Sequence, residues 1–153
     1  MAGPKILQGI DELREAAGTH LGYSDWHTVT QQQIDLFAET TGDHQWIHVD
    51  PEKAAVGPFG STIAHGYLTL SLVPMLVSEI YDVQGVRMGV NYGVDKVRFP
   101  APVPVGSELR AGVELLSVEP GSGGYRLRDL ITIERKGSDK PVCIVEALFV
   151  LVP

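Results

Sequence analysis

Asp43, His44, His48 and Asp50 place two carboxylates and two imidazoles within eight consecutive positions, between Gly42 and Pro51. A carboxylate and an imidazole that share one water can act as general base and general acid, because their reference pKa values lie on the acidic flank of neutrality. Asp50 reads as structure instead: Asp50-Pro51-Glu52 is the pattern of an N-cap, a proline at the first helical position and an acid favoured by the helix dipole. His44, between glycine-bearing chain and Gln45, reads as peripheral. That leaves Asp43 and His48, able together to hold one water, deprotonate it and deliver its proton. On position alone Asp43 is as readily a solvated loop aspartate or an Asx-turn, a lone histidine is more often structural, and it is the pairing that argues for chemistry.

A metal is not expected at this segment. His44-Gln45-Trp46-Ile47-His48 has the spacing of the zinc-protease His-Glu-x-x-His pattern, but that pattern needs a helix and a glutamate in second place. Here the second place is Gln45, and Gly42 and Pro51 prevent one continuous helix. Farther along, His65-Gly66 stands at the entrance to an apolar helix, whose unpaired first N–H groups can receive a carbonyl oxygen as its charge develops. Gly66 either permits that approach or serves only the turn into the helix. Ser71 lies inside the same helix, and its hydroxyl has two candidate partners, the carbonyl four residues back or the Asp43 carboxylate. Tyr92, Lys96 and Arg98 follow in a strand region as a candidate basic patch for a polyanionic ligand. No nucleotide-binding glycine fingerprint occurs.

These residues need elements to position them. A short helix over Ile10 to Ala17 stops at Gly18, and Tyr23 to Val29 alternates as a strand. Thr30-Gln31-Gln32-Gln33 forms a capping box, with Val29 and Ile34 at the staple positions, opening a helix that Gly42 terminates. Asp43 therefore emerges just past a helix end. Gly66 to Tyr81 is apolar nearly all round and predicts a long central helix, kinked at Pro74 but not split in two. Strands follow over Val86 to Tyr92, Lys96 to Phe99, Leu109 to Val118, Tyr125 to Arg135 and Pro141 to Val152. Gly121-Ser122-Gly123-Gly124 and Gly137-Ser138-Asp139 mark hairpins, and Pro100-Ala101-Pro102-Val103-Pro104 is an extended connector. The class is α+β: a single domain over residues 1–153 in which an antiparallel sheet of about five strands curls around a central helix. An exposed sheet edge predicts a homodimer.

Composition narrows the partners. The 153-residue chain carries a net charge of -7 and shows no Lys/Arg cluster, which argues against nucleic acid or an anionic membrane. The most apolar stretch, Tyr67 to Val77, is too short to span a bilayer, and the N-terminus lacks a signal-length apolar run, so the chain reads as a soluble, cytoplasmic protein. Cys143 reads as a small buried hydrophobe.

Thr41-Gly42-Asp43-x-x-x-x-His48-x-Asp50-Pro51-x-x-Ala54, followed by Ile63-Ala64-His65-Gly66, resembles the hydratase 2 motif of (R)-specific enoyl-CoA hydratases, the MaoC-like dehydratases. Asn91-Tyr92-Gly93 and Lys96-Val97-Arg98-Phe99-Pro100 through Gly106 resemble the strands after that family's helix. The resemblance implies the hot-dog fold and reversible syn addition of water to a trans-2-enoyl-CoA, giving an (R)-3-hydroxyacyl-CoA in fatty acyl-CoA metabolism. By position, Asp43 would be the base, His48 would orient the water and protonate C2, the Gly66 N–H would bind the thioester oxygen, and Ser71 would hold Asp43. The resemblance also implies no metal or redox cofactor, coenzyme A being part of the substrate. One departure is Gln45-Trp46 where the motif usually has Asn-Pro; glutamine offers the same donor and acceptor on a longer stem, so Gln45 is the candidate for the asparagine's supporting role. The rival readings are a hot-dog acyl-CoA thioesterase and a non-catalytic acyl-CoA-binding subunit of a heteromeric dehydratase.

Overall fold

In the computed structural model, which describes residues 3–153, the first half of the chain runs β1 (Lys5–Gln8), α1 (Gly9–Glu15), β2 (His20–Tyr23), β3 (His27–Thr28), α2 (Gln31–Thr41), α3 (Trp46–Val49) and α4 (Pro51–Ala55). It continues through α5 (Gly66–Ser71), α6 (Val73–Ser78), β4 (Tyr81–Gln84), β5 (Met88–Arg98), β6 (Glu108–Gly121), β7 (Gly124–Arg135) and β8 (Pro141–Val152). The long strands form because their side chains alternate. Leu109, Ala111, Val113 and Leu115 of β6, Leu127, Ile131 and Ile133 of β7, and Val145 and Ala147 of β8 are buried on one face, as a half-covered sheet requires. The strands pair antiparallel in the order β2-β6-β7-β8-β5, with β3 also on β6. Gly123 and Gly137, at φ of 84° and 82°, turn the two hairpins.

The buried face is covered by the two central helices, α5 against β8 and α6 against β6. Leu68, Val73, Leu76 and Ile80 share one core cluster with the strand residues. This is the α+β arrangement that the sequence predicts, with corrections to the central helix and to several strands. The central helix is two segments, not one kinked rod, and it ends at Ser78 rather than Tyr81. Pro74 has no N–H to return to Leu70, which breaks the ladder; Leu72 keeps right-handed helical dihedrals (φ -78°, ψ -11°), so the chain passes between the segments without a loop. Tyr81 instead begins β4, which pairs in parallel with β1, a two-stranded sheet that the sequence reading lacks. In the main sheet, the strands expected at Val86 to Tyr92 and Lys96 to Phe99 are one strand, β5, carried through two register shifts at Asn91/Gly93 and Asp95/Arg98. Similarly, the strand expected at Tyr23 to Val29 is divided into β2 and β3.

The proline ladder is extended and lies beside the chain entering α5: the Ala64 N–H donates to the Val103 carbonyl at 2.8 Å and the Val105 N–H to the Thr62 carbonyl at 2.9 Å. β5 is paired on one side only and is exposed along almost its whole length. Cys143 is fully buried, and burial pushes its thiol up to about 11. Among the described residues no helix is long and apolar enough to cross a membrane.

Candidate active site

Asp43 and His48 reach their positions through two helix boundaries that the sequence specifies. At the start of α2 the Thr30 hydroxyl accepts from the Gln33 N–H and the Gln33 side chain accepts from the Thr30 N–H, the reciprocal capping box. At its end Gly42 takes a left-handed φ of 82°, closing the helix and releasing Asp43 into an exposed loop. Asp50 caps α4 by accepting from the Lys53 N–H at 3.1 Å, with Pro51 in the first turn. Between these caps α3 is a single turn, and it carries His48 inward to a buried position while His44 stays outside it and exposed.

The structure brings the pair together. One carboxylate oxygen of Asp43 and one ring nitrogen each of His48 and His65 all lie within 4.8 Å of one another. His48 Nδ1 lies 2.7 Å from the Ile63 carbonyl oxygen. A carbonyl only accepts, so Nδ1 carries the hydrogen, and the neutral ring presents a lone pair at Nε2. Burial lowers the His48 pKa below its ordinary 6.5; the Ile63 hydrogen bond opposes this, the neighbouring His65 adds to it and Asp43 opposes it. His48 and Gly66 line one cavity of about 320 Å³, otherwise walled mainly by Phe59, Ile63, Phe99, Pro100, Val103 and Val142.

Gly66 is a glycine for a reason other than backbone conformation. It is absent from the residues with positive φ, but a Cβ built on it would stand 2.9 Å from Phe99 Cδ2 and 3.0 Å from Cε2. The missing side chain makes room for the Phe99 ring at the cavity wall. The N–H groups of the first turn of α5, Gly66 among them, have no acceptor within the helix.

Several expected supports are placed elsewhere. Ser71 does not hold Asp43: its hydroxyl donates to the Tyr67 carbonyl at 2.7 Å, the helical back-bond, and the residue is exposed. Gln45 is exposed and its side-chain amide makes no hydrogen bond among the described residues; only its backbone N–H approaches Asp43 Oδ1, at 3.4 Å. A side-chain amide does support the site, but from Gln31. Its Nε2 donates to the His48 carbonyl at 2.8 Å and to Asp35 at 2.9 Å, and its Oε1 accepts from the Thr62 hydroxyl at 2.6 Å. Read along the chain, Gln31 is only the first residue inside a capping box, so nothing local marks this role.

Tyr92, Lys96 and Arg98 sit on the exposed strand β5, and none lines the cavity of His48 and Gly66. The Arg126 guanidinium lies 4.3 Å from the Tyr92 ring, Lys96 pairs with Glu146 at 3.3 Å from a left-handed φ of 52°, and Arg98 donates to the Val97 carbonyl at 2.7 Å.

The triplet Asp43, His48 and His65 offers metal-ligand atoms, yet its geometry suits a metal poorly. The two imidazoles are stacked, with centroids 3.9 Å apart and planes 24° apart. Lone pairs lie in the ring planes, so those of near-parallel rings run side by side rather than meeting at one ion about 2.0–2.1 Å from each nitrogen.

A model of the MaoC-like domain matches residues 12–126. The 3-hydroxyacyl-thioester dehydratase Z of Mycobacterium tuberculosis is 52% identical over 145 residues, covering 94% of this chain and 96% of that protein. Nodulation protein N of Rhizobium leguminosarum bv. viciae is 57% identical over 135 residues, 86% of this chain and 84% of that one. Among solved structures, the unliganded R-hydratase PhaJ1 of Pseudomonas aeruginosa superposes with a TM-score of 0.71 at 25% identity, covering 89% of this chain and 81% of its own.

Proposed function

The chain belongs to the MaoC-like dehydratases, hot-dog enzymes of fatty-acyl metabolism, and from that premise we propose that it adds water reversibly and syn across the double bond of a trans-2-enoyl-CoA to give the (R)-3-hydroxyacyl-CoA. One observation carries the proposal: the Asp43 carboxylate lies within 4.8 Å of the His48 ring, and His48 shares a cavity with Gly66 at the start of α5. A water between Asp43 and Nε2 of His48 meets two acceptors, so both its hydrogens are engaged and an oxygen lone pair is left for C3. As the C3–O bond forms, one O–H bond breaks toward Nε2 and its proton passes from Nε2 to C2; the other hydrogen stays on the new hydroxyl, held by Asp43. The negative charge that gathers on the thioester oxygen meanwhile faces the Gly66 N–H.

This scheme gives the travelling proton to His48 and leaves Asp43 to orient and polarise the water, the reverse of the roles that the resemblance implies; the Nδ1–H bond to Ile63, which leaves Nε2 as the acceptor, supports it. No metal or redox cofactor enters it; coenzyme A is part of the substrate. The exposed edge of β5, with Met88, Val90, Tyr92 and Val94 in the open, supports a homodimer paired through this strand. Lys96 and Arg98, on the same strand, are the proposed contacts for the phosphates of coenzyme A.

The test is direct. Purified protein with crotonyl-CoA and longer enoyl-CoAs should consume the conjugated thioester and yield the (R)-3-hydroxy product. Asp43→Asn should keep the fold and lose about a hundredfold or more in rate, the scale of a misplaced reacting group. Free thiol released without loss of the double bond would point instead to a thioesterase, and binding without turnover to a non-catalytic subunit.

A further inference from the structure

Asp43 is an exposed residue on a loop, yet the proposed reaction needs its carboxylate at a fixed distance from His48. Its own loop ties it weakly: the Asp43 N–H reaches the Thr41 hydroxyl at 3.3 Å and the Gln45 N–H reaches Asp43 Oδ1 at 3.4 Å, both long for hydrogen bonds. A shorter tie comes from across the fold. His65 Nε2 lies 3.0 Å from the Asp43 carbonyl oxygen, to which it donates. His65 is itself anchored, 2% exposed, stacked on His48 at 3.9 Å and tilted against Phe37 at 4.9 Å. It is also the residue at the entrance to α5, where its carbonyl accepts from the Thr69 N–H at 3.1 Å.

The choice of imidazole is informative. His65 Nδ1 is buried and has no hydrogen-bond partner among the described residues, a state that costs free energy. A phenyl ring would fill the same stack without an orphaned nitrogen. What the imidazole offers and a phenyl ring does not is the hydrogen that Nε2 gives to the Asp43 carbonyl.

We propose that His65 is a positioning residue of the hydration reaction, setting the separation of the Asp43 carboxylate and the His48 ring by clamping the Asp43 main chain while stacking on His48. The inference rests on the hydratase reading above. The role given to His65 needs no contact with water or substrate: it joins the three parts of the site, His48 through its ring face, Asp43 through Nε2 and Gly66 through the chain.

Two variants separate the donor from the ring. His65→Phe keeps an aromatic stack and removes the donor, whereas His65→Gln carries an amide N–H at a reach close to that of Nε2. With crotonyl-CoA, His65→Phe should lose about a hundredfold in kcat, the scale of a misplacement of about 1 Å, with KM within about threefold of the parent. His65→Gln should recover kcat to within about tenfold of the parent. A parental kcat in His65→Phe, or an equal loss in both variants, overturns the proposal. Backbone ¹⁵N relaxation at Asp43 gives a readout that needs no turnover: its order parameter should fall from a rigid value of about 0.85 to below about 0.6 in His65→Phe and not in His65→Gln. An unchanged value in His65→Phe overturns the clamp whether or not the protein hydrates enoyl-CoA, while an inactive parent with the expected relaxation change counts against the hydratase reading alone.

Discussion

Among the described residues Asp129 is the one acid buried within the sheet, and its removal gives a quantitative test of the core. It is fully buried on β7, its Oδ2 accepts from the Tyr81 hydroxyl at 2.7 Å, and its Oδ1 has no partner among the described residues. Burial pushes its pKa up from the ordinary 3.8 to about 7, with the Tyr81 hydrogen bond pulling the other way. A carboxyl whose folded pKa exceeds its unfolded one binds its proton more tightly in the native state. Its stabilising contribution is therefore whole below about pH 4, is lost as pH rises to about 7, and changes no further above that. The span from 3.8 to about 7 amounts to about 4 kcal/mol at about 1.36 kcal/mol for each decade of proton affinity. Asn at this position keeps an acceptor for Tyr81 and cannot ionise. Urea unfolding of parent and Asp129→Asn at fixed protein concentration, from pH 4.5 to 8, should give curves whose difference grows toward the alkaline end, with the variant the more stable there by up to about 4 kcal/mol. Other carboxylates affect both proteins equally and cancel in the difference. Parallel stability curves, or a variant that is the weaker at pH 8, would refute a buried acid titrating near neutrality.

Four further outcomes follow from the site and the sheet edge. Because neutral His48 is the form that offers a lone pair at Nε2 and burial lowers its pKa, kcat/KM for enoyl-CoA should hold as pH falls through 6.5 and decline only beneath it; an acid limb centred above 6.5 contradicts the assignment. Gly66→Ala, whose Cβ would stand 2.9 Å from the Phe99 ring, should displace that ring into the cavity and lower kcat/KM by about tenfold or more with the fold intact, whereas Ser71→Ala should leave the rate within about twofold and stability within about 0.5 kcal/mol, since Ser71 bonds only the Tyr67 carbonyl. Val90→Lys places a charge on the open edge of β5 and should shift the assembly toward monomer in light scattering, a dimer of unchanged affinity being the contrary result.

The legible parts of this fold are those that local chemistry decides. Thr30 and Gln33 specify their cap by reach alone, and Gly42 specifies the exit from α2 because a left-handed φ of 82° costs glycine nothing. The strands Glu108–Gly121, Gly124–Arg135 and Pro141–Val152 fall within a few residues of their sequence limits, because glycine-rich hairpins bound them and their buried side chains alternate. What could not be read is decided by distant partners. Lys5–Gln8 is polar at both ends and becomes a strand only because Tyr81–Gln84 lies beside it. The two runs flanking Gly93-Val94-Asp95 look like separate strands, and pairing with β8 makes them one.

The same division runs through the site. That Asp43 and His48 stand near each other is legible, because they lie five positions apart with a cap on either side. Their supports were not, because the chemistry of support is generic. Ser71 had two candidate partners in sequence, and the nearer won: a serine inside a helix always has the carbonyl four residues back within reach, so a cross-fold bond forms only where the fold brings a better acceptor. Gln45 occupies the motif's asparagine position, yet the amide that holds His48 belongs to Gln31, seventeen residues before His48 and contributed by another helix. In sequence His65 is only the neighbour of Gly66, although in the fold it touches both members of the pair. A catalytic group is constrained by what it must do to a substrate, which few residue types can do, and a supporting group only by where a donor must stand, which many can satisfy. Motifs therefore report the first kind of residue, and the three-dimensional contacts of Asp43 and His48 are needed to find the second.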